Sequence, residues 1–339
     1  MAATLRDVAG YANVSLRTVS NVIRGYTHVS DRTRQQVLTA IEELDYRPNP
    51  VARTLRTGRT GVLALIVPEI DVPYFSGLAR HVIDAAAEYG YRVMIDQTGN
   101  DHEREHELLT GTDRRMLFDG ILFSPLVTKT ELLEMHASSS MPFVLLGEHE
   151  FDGTYDHVAI DNVQAAHDAT AHLIDRGRCK IAAIGAQPDQ TYATPQQRTA
   201  GYAQALAESG LTLNPSWVIP TQQYQRIDGY NAACSLLAET QIPDAFFCFS
   251  DLLAIGAIRA IYDSGLTVPD DIAVIGIDNI EEGHYSRPSL STVSLDTEYI
   301  AREAVARLIA RIDDPDLKPE EIIAPHNVLP RESTLGYEI

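Results

Sequence analysis

Residues 4–24 contain two short helical patterns on either side of a tight-turn signal, and no other segment constrains the N-terminal fold as strongly. Thr4 can cap a first helix that carries the acid Asp7 three residues later, and Ser15 can cap a second. Asn13 suits the intervening turn, because asparagine tolerates left-handed backbone conformations. The segment therefore predicts two capped helices that pack together.

The second helix has two different faces. At about 100° per residue, Val19, Val22 and Ile23 share one side. The other side carries the polar residues Arg17, Ser20, Asn21 and Arg24. A third helix after Ser30 has an apolar stripe that consists of Val37, Leu38, Ile41 and Leu44. Three such helices can bury a small core and present the polar face to a DNA major groove, which predicts a helix-turn-helix. An ordinary surface hairpin of helices is the alternative.

The charge distribution favours DNA binding by the N-terminal end. The whole chain has a formal net charge of −20, yet residues 1–59 carry nine arginines against five acidic residues. A basic module attracts phosphates, whereas an acidic body discourages non-specific adsorption to nucleic acid. DNA contact is therefore expected to be confined to the N-terminal segment.

The length of 339 residues predicts more than one domain. The sequence shows no signal-peptide pattern and no apolar run of about 20 residues, so a cytoplasmic protein without a membrane span is expected. We also expect no cofactor.

A short helix is predicted directly after the head. Asn49 can cap it and Pro50 suits its first position, but the segment to Arg56 spans barely two turns and is marginal alone in water. Leu55 has no obvious core to join. It either becomes ordered against DNA or a symmetry mate, or belongs to a solvated linker in which it rests on the body.

From Gly61 onward, apolar runs alternate with helical patterns, which is typical of βαβ units and a largely parallel sheet. Two similar stretches open at Gly61 and at about Arg178, and they predict two doubly wound subdomains. In such folds, ligands bind outside the carboxyl ends of the strands. The predicted strands are residues 62–67, 92–96, 120–124, 143–146, 157–160, 181–185, 245–249 and 273–277.

The chain resembles the lactose-repressor (LacI/GalR-type) family of bacterial transcription regulators over essentially its whole length. In the head, the motifs are Thr4-Leu5-Arg6-Asp7-Val8-Ala9, Val14-Ser15, Thr18-Val19-Ser20, Tyr46-Arg47-Pro48-Asn49 and Ala52-Arg53-Thr54-Leu55. In the body, they include Asp119-Gly120-Ile121, Arg198-Thr199-Ala200-Gly201-Tyr202 and Leu329-Pro330-Arg331-Glu332-Ser333-Thr334. The head motifs are highly specific, while the body alone also resembles periplasmic sugar-binding proteins.

The resemblance implies a multidomain α and α/β fold. Its parts are a three-helix head, a hinge helix and two doubly wound parallel-sheet subdomains of periplasmic-binding-protein type. The expected boundaries are 1–47 for the head, 48–60 for the hinge and linker, and 61–339 for the core. Within the core, the N-subdomain is expected at about 61–160 and 291–320, and the C-subdomain at about 161–290 and 321–339.

The resemblance also implies residues that contact DNA. The base-reading positions fall on Leu16, Arg17 and Asn21, where Arg17 suits guanine and Asn21 suits adenine. Many family members have arginine at the position of Asn21, so the inner bases of the operator half-site are expected to differ here. Leu55 matches the leucine that wedges into the minor groove at the operator centre. The further implied contacts are Thr4, Thr18, Ser20, Arg24, His28, Asn49, Ala52, Arg53 and Arg56.

The implied effector residues combine aromatic rings with charged and hydroxyl groups, a set that suits a sugar-like ligand. They are Tyr74, Phe75, Tyr192, Thr194, Arg198, Tyr224, Ser250 and Asp278. Ser250 departs from the asparagine common at its position. Taken singly, each is equally an ordinary loop residue, and Asp278 before Asn279 is also compatible with a simple turn.

The resemblance implies a homodimeric regulator, with repression as the expected mode, of carbohydrate-metabolism genes. The partners are a near-palindromic double-stranded operator and a small sugar-like effector bound between the subdomains. Because no heptad pattern precedes Ile339, a dimer is expected rather than a tethered tetramer. Two alternatives remain: a solute-binding transport protein, and a zinc hydrolase that uses His102, Glu103 and His106 of an H-E-x-x-H pattern. Glu131 and Glu134 would be conceivable further zinc ligands, although a solvated helix is the simpler interpretation.

Overall fold

The computed structural model describes residues 3–23, 26, 28–46, 58–99, 101–110, 117–125, 141–147, 153–187 and 193–336. Contacts divide the chain into two units, residues 1–60 and residues 61–339. The boundary between these units lies within the linker that the sequence predicts. The predicted hinge helix, from its cap Asn49 to Arg56, lies outside the described residues.

The first unit contains the three predicted helices, α1 (Leu5–Tyr11), α2 (Leu16–Ile23) and α3 (Asp31–Glu43). Each has the predicted cap. Thr4 and Asp7 form a capping box at α1, in which the Thr4 backbone N–H donates to Asp7 Oδ2 at 2.8 Å. Ser15 Oγ accepts from the Thr18 N–H at 3.1 Å, and Ser30 Oγ accepts from the Thr33 N–H at 3.3 Å. These bonds satisfy backbone donors that a helix start otherwise leaves unpaired.

The core of this unit is small and apolar. Val8, Val19 and Val37 have no exposed surface, so all three helices contribute to it. Two predicted core residues are wrong: Ile23 is 36% exposed and Leu38 is 45% exposed. Ile23 is the last residue of α2, and Leu38 is turned about 100° away from Val37 around the helix, so neither faces the other two helices.

The second unit contains two six-stranded sheets. The elements of the first are β1 (Val62–Val67), α4 (Pro73–Glu88), β2 (Arg92–Gln97), α5 (His102–Thr110), β3 (Gly120–Phe123), β4 (Phe143–Leu146), β5 (Asp156–Ile160), α11 (Thr297–Asp313) and β11 (Glu321–Ala324). This sheet has the order β11-β5-β4-β3-β1-β2 and is parallel throughout. Helices α4 and α11 pack against each other and against this sheet.

The elements of the second sheet are α6 (Asn162–Asp175), β6 (Ile181–Ala186), α7 (Ala193–Glu208), β7 (Val218–Pro220), α8 (Arg226–Leu237), β8 (Ala245–Cys248), α9 (Asp251–Asp263), β9 (Ala273–Ile277), α10 (Glu281–Tyr285), β10 (Ser291–Leu295), β12 (His326–Leu329) and α12 (Glu332–Leu335). Its order is β12-β10-β9-β8-β6-β7, and among these described strands only the β10–β12 pair is antiparallel. Helix α6 packs on α7, and α8 packs on α9. All eight predicted strands are confirmed to within one residue at each end.

The chain crosses between the two sheets at Asp161, Asp296 and Pro325. The predicted subdivision of the core is therefore wrong at two places. Residues 291–295 form a strand of the second sheet rather than the first, and residues 321–324 form a strand of the first sheet rather than the second. In the C-terminal part of the chain, β11 joins the first sheet, whereas β10 and β12 join the second. The order of these segments in the sequence does not show which sheet each of them joins.

Helices α8 and α9, which pack on the second sheet, approach closely because glycines lie at their contact. A Cβ atom at Gly256 of α9 would collide with the carbonyl oxygen of Arg226. A Cβ atom at Gly229 of α8 would collide with the carbonyl oxygen of Leu253 in the same way. The α8–α9 contact is therefore a backbone-to-backbone contact that tolerates no side chain at either glycine.

We expect Gly256→Ala to lower the free energy of unfolding of the core by about 3 kcal/mol, because the helices must separate to admit the methyl group. Gly77→Ala is the matched control. Gly77 also lies in a helix, but nothing lies within 4 Å of the position that its Cβ would take. This control should stabilise the protein by about 0.5–1 kcal/mol. Urea unfolding measures the free energy of unfolding of both variants. An equal change in this free energy for the two substitutions would contradict the close contact between α8 and α9.

Candidate DNA-binding and effector-binding sites

Helix α2 presents a polar surface because its apolar side is buried. Val19 and Val22 lie in the core of the head, whereas Leu16 and Arg17 are exposed at the start of the helix. Asn21 follows one turn after Arg17 and is half-buried. The three predicted base-reading side chains thus lie on one helix, away from its buried side.

The other predicted contacts of the head differ in their surroundings. The Thr18 hydroxyl lies 2.8 Å from Ser15 Oγ and belongs to the cap of α2. Ser20 is half-buried on the same helix. His28 is exposed, and its ring packs edge-on against Tyr26 at 5.5 Å between centroids. Arg24, Asn49, Ala52, Arg53, Leu55 and Arg56 lie outside the described residues.

Thr4 has a structural role that the sequence also indicated. The hydrogen bond from the Thr4 hydroxyl, aided by the Thr4 backbone N–H, lowers the pKa of Asp7. The ionised carboxylate is therefore favoured at the start of α1, where it also suits the helix dipole. Sequence reasoning missed Arg34, which donates from Nη2 to the Tyr26 carbonyl at 2.7 Å and ties α3 to the segment after α2.

In the second unit, the predicted effector residues lie at the carboxyl ends of strands. Tyr74 and Phe75 begin α4 after β1, and their rings meet edge-on at 5.2 Å between centroids. They line a cavity of about 60 Å³ together with Ser124, Gly147 and Ile160. Typical ligand pockets measure about 300–1,000 Å³, so this cavity alone is too small for a sugar.

The remaining predicted effector residues belong to the second sheet. Thr194 and Arg198 lie on α7, and Tyr224 precedes α8 and donates from its hydroxyl to the Gly185 carbonyl at 2.9 Å. Ser250 caps α9, and its Oγ accepts from the Leu253 N–H at 3.3 Å. Tyr192 lies outside the described residues.

Arg198 is a buried cation with neutral partners. It is 5% exposed; its Nε donates to Asn162 Oδ1 at 2.7 Å, and its Nη1 donates to the Phe249 carbonyl. No carboxylate of the described part of the chain forms an ion pair with it. A buried charge is costly unless hydrogen bonds compensate it, so the neutral acceptors leave positive potential available for a ligand oxygen.

Asp278 lies in a turn, which is the simpler of its two predicted roles. Asp278 and Asn279 both have left-handed backbone, with φ of 117° and 57°. Asn279 holds the turn by donating from Nδ2 to Ser294 Oγ at 3.0 Å and by accepting from Arg331 Nη2 at 2.6 Å. Asp278 is half-buried.

Sequence reasoning missed Asp251, which is fully buried at the start of α9. Oδ2 accepts from the Ile280 N–H at 2.9 Å, and Oδ1 accepts from Thr292 Oγ1 at 2.7 Å. Burial raises the pKa of this carboxyl well above its ordinary value, and the charge of Asp278 raises it further. The only signal for this residue in the sequence was its place beside Ser250.

Within the part of the chain that the structure describes, three buried polar atoms at the carboxyl edge of the second sheet have no hydrogen-bond partner. They are Asn162 Nδ2 at the start of α6, Gln187 Oε1 after β6 and Thr221 Oγ1 after β7. Native proteins pair nearly all buried polar atoms with protein or water, so unpaired ones call for an explanation. They lie on the edge to which the sequence assigned the effector.

A side-chain hydrogen bond joins the two subdomains across these edges. Gln225 Nε2, which precedes α8, donates to Glu69 Oε2 at 3.1 Å. Glu69 follows β1 of the first sheet. The carboxyl ends of the two sheets therefore approach each other.

The comparisons with known proteins agree with this architecture. Residues 4–49 match the family model described as bacterial regulatory proteins, lacI family, and residues 170–334 match a periplasmic binding protein-like domain. The HTH-type transcriptional repressor PurR of Histophilus somni is 33% identical over 95% of both chains. The chain belongs to the LacI family.

Solved structures of the LacI family share the whole fold. The transcriptional regulator CelR in complex with cellobiose is 31% identical, with a TM-score of 0.73 over 98% of this chain and 99% of that one. The lac repressor dimer bound to operator and the anti-inducer ONPF is 24% identical, with a TM-score of 0.86 over 99% of this chain and 100% of that one. At 24% identity, the similarity to the lac repressor shows a shared fold and nothing further.

The H-E-x-x-H pattern lies on α5, as the solvated-helix interpretation predicts. Glu103 and His106 are exposed on this helix. In the described part of the chain, no three metal-binding side chains come together. Glu131 and Glu134 lie outside that part. The relatives are transcriptional regulators, which does not favour the hydrolase or the transport alternative. Within the same described part, no helix is both long and apolar enough to cross a membrane.

The buried Asp251 predicts a pH-dependent stability. Because its folded-state pKa lies above the ordinary value of 3.8, the unfolded state releases this proton at lower pH than the native state does. The wild-type protein therefore loses stability as pH rises through the interval between the two pKa values. Asn at this position can accept from the Ile280 N–H and donate to Thr292, and it does not titrate.

We expect the free energy of unfolding of Asp251→Asn, relative to that of the wild type, to rise between ~pH 5 and ~pH 8, by at most about 1.4 kcal/mol per pH unit. Urea unfolding at both pH values measures this difference. Asp263→Asn is the control: the hydrogen bond from Arg259 lowers the pKa of Asp263, so this carboxyl is ionised in the folded and unfolded states across this pH range and the difference for this variant should not change with pH. A difference for Asp251→Asn that does not change with pH would contradict the raised pKa.

Proposed function

We propose that this LacI-family regulator acts as a homodimeric repressor of carbohydrate-metabolism genes. Two heads bind a near-palindromic operator, with one copy of α2 in each of two major grooves. A small sugar-like effector binds between the subdomains and changes the affinity for the operator. The observation that carries the proposal is the exposed surface of α2 on a three-helix head in which each helix begins with a side-chain cap.

The surface of α2 carries the chemistry for reading bases. The Arg17 guanidinium can donate two parallel hydrogen bonds to guanine O6 and N7, and the Asn21 amide can pair with adenine N6 and N7. Leu16 is 44% exposed and can contact a thymine methyl group. The order of these residues along α2 sets the order of the base pairs that they read.

The effector proposal is supported by polar groups that need a partner. The Arg198 cation has neutral acceptors only, and Gln187 and Thr221 each leave a buried oxygen unpaired. Hydroxyl groups both donate and accept, so a polyhydroxylated ligand can satisfy all of them. Tyr74 and Phe75 offer ring faces for the C–H surface of such a ligand. CelR, a relative over nearly the whole chain, was solved with cellobiose.

A second copy of the chain is the proposed occupant of an exposed apolar surface on the second subdomain. Ile227 of α8 is 62% exposed and Tyr285 of α10 is 78% exposed. The two helices are joined by an ion pair of 3.3 Å between Arg226 Nη2 and Glu282 Oε1. Twofold pairing through such a surface gives the dyad that a palindromic operator requires.

The experiment that tests the function is the selection of binding sites from fragmented genomic DNA of the source organism. Purified protein without added ligand is used at near-physiological salt. Enrichment of a near-palindrome supports the dimeric operator complex, and the neighbouring genes name candidate effectors. No enrichment, either without ligand or after addition of metabolite extract, contradicts the proposed operator binding.

We expect Arg17→Ala to weaken binding to the selected operator about 10- to 100-fold and to relax the sequence preference at one base pair of each half-site. Arg32→Ala is the control, since Arg32 is also exposed on the head but lies on α3. Arg32→Ala should weaken binding to all operator sequences by the same factor. Quantitative binding assays on single-base variants of the operator separate the two effects, and a uniform loss for Arg17→Ala would contradict base reading.

We expect Leu55→Ala to weaken operator binding by about tenfold or more, because the proposed wedge supports the bent DNA. Leu117→Ala provides the matched control: this leucine is 54% exposed in the second unit and should not affect DNA binding. DNA-bending assays with both variants provide the readout. Wild-type affinity and bending for Leu55→Ala would remove the wedge from the mechanism.

A further inference from the structure

The orientation of Arg198 depends on one neutral side chain 36 residues earlier. Asn162 is 1% exposed, and its Oδ1 accepts from Arg198 Nε at 2.7 Å. Phe249, which accepts from Nη1, contributes only its backbone carbonyl. Asn162 therefore supplies the one side-chain partner that a substitution can alter.

The chemistry of the pair fixes the orientation of the asparagine amide. An arginine Nε–H can only donate, so the amide atom that faces it must be the oxygen. The Nδ2 group then points elsewhere, and it is buried without a partner. The structure thus tolerates an unpaired buried donor while it maintains the contact with Arg198, a cost that a residue used only for packing would not carry.

The identity of this residue also matters for charge. Aspartate would accept the same hydrogen bond, but it would form an ion pair and neutralise the guanidinium. Asparagine orients Arg198 and leaves its charge available. This combination suits a group that must bind an oxygen atom of a ligand.

Asn162 links Arg198 to the position at which the chain passes from the first sheet to the second. Asp161 links β5 of the first sheet to α6 of the second, and its carboxylate caps α6 by accepting from the Gln164 N–H at 2.9 Å. Asn162 is the next residue. Because Arg198 Nε is hydrogen-bonded to Asn162, a displacement of the guanidinium acts directly on the residue that follows the crossing at Asp161.

We propose that Asn162 is the positioning residue of the effector site: it holds the Arg198 guanidinium toward the effector and couples it to the crossing at Asp161. The proposal rests on the proposed role of Arg198 in effector binding. The effector class that it fits is a ligand that presents an oxygen acceptor to the Arg198 guanidinium, because the described residues place only neutral acceptors on it.

The test begins with a measurement that needs no ligand. In protein labelled with ¹⁵N-arginine, the Nε–H signal of Arg198 is assigned by its loss in Arg198→Lys. We expect slow exchange of this proton with water in the wild type and exchange that is faster by about tenfold or more in Asn162→Leu. Asn162→Asp should keep the protected signal, because it keeps the acceptor.

Gln164→Leu is the matched control on the same helix. It also removes an amide, but its Nε2 donates to Asp168 Oδ1 at 2.7 Å and makes no contact with Arg198. The Arg198 signal should be unchanged in this variant. An unprotected Arg198 signal in the wild type, or an unchanged signal in Asn162→Leu, overturns the proposal.

The second measurement is calorimetry with a panel of neutral mono- and disaccharides. For any sugar that the wild type binds, Asn162→Leu and Asn162→Asp should each weaken binding about 10- to 100-fold, the first through orientation and the second through charge. Equal affinity of Asn162→Leu and wild type overturns the proposal. If the wild type binds no sugar while the exchange result holds, the sugar class of the proposed function fails and the positioning role stands.

Discussion

The two sheets are joined by three crossings, and the geometry between their carboxyl ends depends on these short links. Asp161 and Asp296 are more than connectors. Each caps the helix that follows it, with carboxylate-to-N–H distances of 2.9 Å. The third link, Pro325, accepts from the Asp296 N–H at 3.4 Å, so two of the crossings also contact each other. Helices that start at the crossings are therefore fixed to them by their caps.

This arrangement explains how a ligand can act over a distance. A ligand changes an equilibrium only by its different affinities for two arrangements. Gln225 and Glu69 show that the two edges are close enough for a direct hydrogen bond. A ligand between them would compete with that bond or add to it, and a change in the angle between the two sheets would have to occur at the crossings.

The sequence predicted most of the fold because its signals are local. Apolar runs revealed the eight buried strands, and Thr4, Ser15 and Ser30 revealed three helix starts. Four of the twelve strands in the described part of the chain were not predicted. Strand β7 has three residues, β11 leaves Ile323 49% exposed and β12 has no buried residue, whereas β10 is buried but consists largely of serine and threonine. The subdomain boundaries could not be found from sequence order, because β11 and β12 are adjacent in the chain but lie in different sheets.

The candidate site was predictable residue by residue but not as a set of contacts. Family resemblance identified Arg198 and Ser250, which lie at strand ends as expected. It gave no indication that the partner of Arg198 is an asparagine on another helix, because that contact exists only after α6 and α7 have packed. Asp251 was missed for a similar reason, since only the folded protein shows that its carboxyl is fully buried.

Among the described residues, Arg198 has no carboxylate beside it, and the proposed role of Arg198 in ligand binding rests on this feature. The first subdomain contains the contrasting case: Arg307 and Arg311 both donate to the buried Asp156, at 2.6 and 2.8 Å, and fix α11 to the first sheet. Their charges are compensated within the protein. Arg198 is more deeply buried, and its acceptors among the described residues are neutral oxygens, so a ligand that enters the cleft can compensate its charge.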